Sequence, residues 1–196
     1  MRLRLFAGTA MLALAASVAT VPARAAYIVT FAQVGPDVVA AGSGSLNINS
    51  LAFLGGGAGD GSSFSAGVSP STADVTTGAA ADFDLYLVGT GPSSFGLGGT
   101  TSASGASGDP VGVLGGVVIV VPTGYASNTA LTDTATYAGQ TIASLGLTPG
   151  AYVYSFGSGA NADTFTVDVT SVPEPASLSL LGAGLFGFAM TRRKRS

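Results

Sequence analysis

Cationic side chains are confined to the two ends of this 196-residue chain. Residues 26–172 contain nine aspartates but no glutamate, lysine, arginine, histidine, cysteine or tryptophan. The formal charge of this stretch is therefore about −9, and no salt bridge can form between two of its side chains. Because disulfides are excluded as well, any fold made from it must rely on apolar burial and hydrogen bonds.

This composition excludes several classes of function. Binding to nucleic acid needs cationic groups that neutralise phosphates, and residues 26–172 have none. Without histidine, cysteine or lysine, catalysis by Ser-His-Asp, Cys-His or Ser-Lys arrangements is excluded, as are zinc sites built on histidine or cysteine. We therefore assign no catalytic residue and predict that this part of the chain is not an enzyme.

The first 25 residues have the order of a secretory signal peptide. Arg2 and Arg4 precede an uncharged apolar stretch, residues 5–19, and the small residues Ala23 and Ala25 form an A-x-A cleavage site. A helix of fifteen residues is about 22 Å long, short of the roughly 30 Å hydrocarbon core. We predict a signal helix that signal peptidase removes after Ala25, with an uncleaved membrane helix as the alternative.

The last 25 residues consist of three parts in a fixed order. They are Val172-Pro173-Glu174-Pro175, the apolar stretch 176–190, and a basic cluster of Arg192, Arg193, Lys194 and Arg195. The prolines disfavour helix before residue 176, and the basic cluster resists translocation and is expected to stay cytoplasmic. The sequence predicts a short transmembrane helix that anchors the C-terminus in the inner membrane.

These three parts together resemble the PEP-CTERM sorting signal of Gram-negative bacteria. The resemblance implies that an exosortase, a membrane transpeptidase-like enzyme, recognises the tail and processes it near residues 173–175. The protein would then reach the cell surface or the extracellular space of a bacterium that makes exopolysaccharide. An ordinary tail anchor is the alternative.

Residues 182–187 also fit G-x-G-x-x-G, but no strand–helix context surrounds them, so no dinucleotide site is predicted.

Residues 26–171 are predicted to form one exported all-β domain, a single antiparallel β-sandwich of about eight short strands. Seven runs favour strands, and the last two of them form a hairpin: residues 27–34, 38–48, 82–87, 117–121, 132–137, 152–156 and 164–169. Residues 142–147 fit either a strand or a short helical turn. The Leu-x-Pro-Gly-x-Tyr pattern of residues 147–152 resembles the tyrosine corner of sandwiches, which implies that the Tyr152 hydroxyl binds upstream backbone. A plain Pro-Gly turn is the alternative.

Alternation in residues 82–87 assigns the two faces of that strand. We expect Phe83, Leu85 and Leu87 to face the core, while Asp82, Asp84 and Tyr86 face solvent.

Two pairs of oxygen-bearing side chains are candidates for a structural Ca²⁺ site. Asp82 and Asp84 place two carboxylates on one strand face, and Asn161 and Asp163 lie in an oxygen-rich turn. Calcium binds six to eight oxygens, so each pair supplies part of a site. The alternatives are a solvated strand face and a simple turn, and no other cofactor is predicted.

Residues 131–135 faintly resemble the Asp-Thr-Gly/Ala stretch of aspartic proteases, with Asp133 as the acid. That chemistry requires two aspartates that share a proton, and the sequence holds no second copy of the stretch. We therefore interpret residues 131–135 as part of a strand.

These observations favour a non-enzymatic cell-surface or extracellular-matrix protein, associated with exopolysaccharide and sorted by an exosortase. The alternative is a secreted hydrolase of the glycosidase type that uses a pair of aspartates, with or without Ca²⁺.

Overall fold

The computed structural model describes residues 26–56 and 65–170. The cleavage site at Ala23 and Ala25, the sorting motif at 172–175 and the basic cluster at 192–195 lie outside the described residues. Within the described residues, no helix is long and apolar enough to cross a membrane. The predicted signal helix and C-terminal helix therefore remain predictions.

Thirteen strands form the described part of the chain, joined by loops and two short 3₁₀ turns at Pro70–Thr72 and Gly159–Asn161. The strands are β1 (Ala26–Val34), β2 (Asp37–Gly44), β3 (Ala52–Gly56), β4 (Gly67–Ser69), β5 (Asp74–Thr77), β6 (Phe83–Leu87), β7 (Thr101–Ser102), β8 (Gly105–Gly108), β9 (Val111–Leu114), β10 (Val118–Pro122), β11 (Leu131–Tyr137), β12 (Gly150–Phe156) and β13 (Asp163–Val169).

The strands form two sheets that share one core. The six-stranded sheet has the order β12-β13-β1-β2-β11-β8, and the seven-stranded sheet has the order β3-β6-β10-β9-β5-β4-β7. Apolar side chains from both sheets belong to one buried cluster, including Phe31 of β1, Val75 of β5 and Val113 of β9. This arrangement agrees with the predicted all-β sandwich, with more strands than the eight expected.

The predicted wholly antiparallel pairing is wrong at one position, because β1 and β13 run parallel, from Ala26 opposite Thr164 to Phe31 opposite Val169. Hairpins produce only antiparallel neighbours, whereas these two strands are the first and last of the domain. As a result, the chain enters the sheet at one end and leaves β13 at the opposite end.

The seven predicted strands correspond to β1, β2, β6, β10, β11, β12 and β13, and β12 pairs with β13 as the predicted hairpin. Residues 142–147 contain a helical turn rather than a strand, since the Leu145 N–H donates to the Thr141 carbonyl over 3.0 Å. The six strands that the sequence did not indicate have two to five residues each, too few for an alternating pattern to stand out.

The predicted facing of β6 is wrong. Tyr86 stands opposite Ile119 of β10, which is fully buried, and Tyr86 itself packs against the core. Phe83, Leu85 and Leu87 therefore lie on the outer face of the seven-stranded sheet, where Leu87 is 41% exposed. Both faces of this strand carry large side chains, so alternation alone could not identify the inner one.

The loop of residues 88–100 closes one side of the sandwich by placing Phe95 in the core. The Phe95 N–H donates to the Pro70 carbonyl (2.7 Å), and its own carbonyl accepts the Thr148 N–H (2.8 Å). The ring contacts Tyr152 at a centroid distance of 5.1 Å. The Tyr152 hydroxyl donates to the Thr148 carbonyl over 2.8 Å, with the Phe95 carbonyl 3.3 Å away. These contacts confirm the tyrosine corner.

We expect Tyr152→Phe to lower the free energy of unfolding of the exported domain by about 1 kcal/mol, because the Thr148 carbonyl loses the hydroxyl that donates to it. Denaturant unfolding measures this change. Tyr86→Phe is the control, since the Tyr86 hydroxyl forms no hydrogen bond within the described residues and its ring packs on Phe53. Equal losses in the two variants would contradict a role for the corner hydrogen bonds.

Candidate functional site

The aspartates of the described residues are mostly bound by backbone N–H groups. Five of the carboxylates accept an N–H from a segment distant in sequence: Asp37 from Gly139 (2.8 Å), Asp74 from Gly115 (2.5 Å), Asp84 from Gly124 (2.9 Å), Asp109 from Thr132 (2.9 Å) and Asp163 from Asn47 (2.6 Å). The three glycine donors have positive φ and lie in turns. These hydrogen bonds hold the turns in place in a domain that has no cationic side chains.

Asp133 differs from these five aspartates, because it points into the core from β11. It is 3% exposed and accepts a hydrogen bond from the Tyr27 hydroxyl, which is fully buried. Burial raises the pKa of this carboxyl, and the hydrogen bond from Tyr27 offsets only part of the shift. Its close partner is a tyrosine and not a second aspartate, which is not the arrangement of an aspartic protease dyad.

The two candidate Ca²⁺ pairs lie in different sheets. Asp82 is exposed and directly precedes β6, and Asp84 is half-buried with one oxygen bound to the Gly124 N–H. Asp163 is buried, and both of its oxygens accept N–H groups, from Asn47 and from Thr164 (2.6 Å each). Asn161 lies 3.4 Å from the Asn47 side chain. Within the described residues, no group of three acidic, histidine or cysteine side chains is placed to hold a metal ion.

A groove of about 390 Å³ lies on the outer face of the seven-stranded sheet. One row across this sheet consists of Ser102, Gly67, Thr76, Gly112, Val120 and Leu85, each opposite the next. Three members of this row, Ser102, Gly67 and Thr76, line the groove, and Gly67 contributes no side chain to it. A Cβ at Gly112 would overlap the Val75 carbonyl oxygen, so strand packing itself requires glycine there.

The walls of the groove combine hydroxyls, one carboxylate and apolar surface. Its lining includes Ser69, Asp74, Thr76, Phe83, Thr100, Ser102 and Leu114. Asp74 is held from two sides, since the Gly115 N–H binds Oδ1 (2.5 Å) and the Thr72 hydroxyl binds Oδ2 (2.7 Å). Such a fixed carboxylate can accept further hydrogen bonds from a ligand without rearranging, because each oxygen has two acceptor sites.

The sequence contained a weak signal for this groove. In β4, β5 and β9, valines that face the core alternate with the small or polar residues of the outer face, such as Gly67, Asp74, Thr76 and Gly112. These strands have three or four residues each, so the pattern is too short to be distinguished from loop composition.

We expect Asp133→Asn to change how stability depends on pH. The folded state of such a carboxyl binds its proton more tightly than the unfolded state. The free energy of unfolding therefore falls as the pH rises from the ordinary pKa of 3.8 through the higher pKa of the folded state. The wild type should therefore lose free energy of unfolding, relative to the variant, as the pH rises above about 4. Denaturant unfolding at several pH values measures this difference, and Asp82→Asn, which removes an exposed carboxylate, is the control. A constant difference between wild type and Asp133→Asn across this range would contradict the burial effect.

Comparisons with known proteins concern the C-terminal segment. A sequence model of the PEP-CTERM protein-sorting motif matches residues 171–194, which contain the whole of Val172-Pro173-Glu174-Pro175 and three residues of the basic cluster. No curated protein and no solved structure matches the chain. The chain thus carries a PEP-CTERM protein-sorting motif at residues 171–194, and this motif supports an exported protein that an exosortase sorts.

Proposed function

We propose that the exported domain is a non-enzymatic surface or matrix protein that binds exopolysaccharide in the groove of the seven-stranded sheet. The observation that supports this proposal is the lining of the groove, where hydroxyls and the fixed Asp74 carboxylate lie beside apolar surface. Carbohydrate rings present hydroxyls at their edges and C–H groups on their faces. They therefore match a site that offers acceptors along one wall and apolar surface along another.

Each wall has a distinct part in binding. Asp74 accepts hydrogen bonds from two neighbouring sugar hydroxyls, which charge strengthens relative to neutral acceptors. Thr100 and Ser102, which are both exposed, donate and accept at the other side. Phe83 and Leu114 contribute the apolar wall. The residues that line the groove come from several strands, so a linear glycan would lie across the strands rather than along one of them.

Charge selects the class of glycan. Residues 26–172 carry nine aspartates and no cation, so an acidic polysaccharide would be repelled unless divalent cations bridged it. The proposed ligand is therefore the uncharged fraction of the exopolysaccharide.

The hydrolase alternative receives no support from this groove. A glycosidase of the usual type needs two carboxyl groups across the scissile bond, about 5–10 Å apart. Asp74 is the one carboxylate among the described residues that line the groove, and both of its oxygens are already hydrogen-bonded. With a single carboxylate, the groove can bind a glycan but lacks the pair of carboxyl groups that would hydrolyse it.

Glycan binding is tested by a variant that fills the groove with a large side chain at an exposed lining position. We expect Ser102→Trp to abolish retardation of the protein in gels that contain the neutral fraction of exopolysaccharide purified from the producing cells. Ser107→Trp is the matched control, because Ser107 is an exposed serine on an edge strand of the other sheet. Binding that survives Ser102→Trp, or that is equally lost in both variants, would refute the assignment to this groove.

Sorting is tested separately by replacing Pro173, Glu174 and Pro175 with alanine. We expect the altered protein to accumulate unprocessed in the inner membrane, because the exosortase no longer recognises its tail. Fractionation of cells and comparison of protein sizes measure this outcome. Replacing Ser177 and Ser179 with alanine is the control that changes the same segment but keeps the motif. Identical sizes and fractions for the motif variant and the wild type would contradict exosortase processing.

A further inference from the structure

The six-stranded sheet ends in a long strand that has a pairing partner on one side. Strand β12 (Gly150–Phe156) has seven residues and pairs with β13 from Gly150 opposite Val169 to Phe156 opposite Asp163. In an antiparallel pair, alternate residues direct their N–H and C=O groups toward the partner, and the others direct theirs away. Within the described residues, no other strand pairs with β12 along its second side. A row of backbone donors and acceptors therefore remains available for a further strand.

The other three sheet edges carry features that prevent such pairing. Strand β7 has two residues, β8 has four residues with glycine at both ends, and β3 is interrupted by a bulge between Phe53 and Gly55. Short length, irregularity and charge are the usual means by which soluble proteins protect an edge. Strand β12 has none of them, since its sequence GAYVYSF contains no charge and no proline and its pairing with β13 is unbroken.

We infer that β12 is an interface between two copies of this chain, which pair antiparallel about a two-fold axis through Val153 and join their six-stranded sheets. A two-fold axis perpendicular to the sheet maps the outer face onto itself. Odd-numbered residues of one copy, whose side chains lie on the outer face, therefore stand opposite odd-numbered residues of the other copy. Full overlap of the strand then places Val153 opposite Val153 and Ala151 opposite Ser155. The donor and acceptor pattern of such an edge is complementary to itself.

The occupant that we assign is a second copy of the chain, because β12 carries no charge and two acidic domains can meet along it without opposing carboxylates in the two paired strands. The seam is neutral, although the exported domain as a whole is strongly acidic. The side chains that meet on its outer face are Ala151, Val153 and Ser155, all exposed and small, with Val153 exposed by 46%. A cationic partner would gain more from the aspartates elsewhere on the surface than from this edge, whereas an identical strand brings only neutral, β-branched and small residues to it.

The absence of native cysteine makes a direct test possible in the full-length, exported chain. Directly opposite residues of an antiparallel pair have Cα atoms about 4.5–5.5 Å apart, which suits a disulfide. We expect Val153→Cys to give a covalent dimer of twice the monomer mass on a non-reducing gel. The double variant Ala151→Cys with Ser155→Cys should give the same dimer through the second predicted pair.

Two single variants test specificity. Ala151→Cys alone should stay monomeric, because two copies of residue 151 would lie four residues apart along the seam, about 13 Å. Ile28→Cys should stay monomeric as well, although Ile28 lies on the same face, in the same cross-strand row, and is 44% exposed. Dimers that form equally in these two variants, or their absence in both Val153→Cys and the double variant, would overturn the proposal.

Discussion

Hydrogen bonds from backbone N–H groups to aspartates are the interaction on which the organisation of this domain depends. A sequence without cationic side chains cannot balance its carboxylates by salt bridges. Asp37, Asp74 and Asp84 instead each bind the N–H of a turn glycine, while Asp109 and Asp163 bind strand or loop backbone. Each of these bonds joins segments that are distant in sequence, so the aspartates that make the domain acidic also stabilise its fold.

This arrangement has consequences for the surface. Because the carboxylates are used within the fold, the outer faces of both sheets consist largely of hydroxyls, small residues and isolated apolar side chains. One such face contains the groove beside Asp74, and the edge of the other sheet presents the neutral strand β12. Strand β13, which precedes the sorting segment in the sequence, ends at the opposite end of the sheet from the residue where β1 begins.

The long and regular elements could be predicted from residue patterns, and the short ones could not. Strands β1, β10 and β11 have clear runs of β-branched and apolar residues, and the tyrosine corner has its own local signature. Strands β4, β5 and β9, which build the groove, are too short for such a pattern. The burial of Phe95 depends on contacts with Pro70 and Thr148, which lie 25 and 53 residues away.

The sequence by itself determined the class of the fold, the absence of ion pairs from the exported domain, and the sorting motif, because each depends on composition or on a local order of residues. Only the tertiary structure decided which face of β6 is buried, that Asp133 points into the core, and that β1 and β13 run parallel. These features depend on which strands become neighbours, and pairing between distant segments is set by packing of the whole sandwich rather than by local preference.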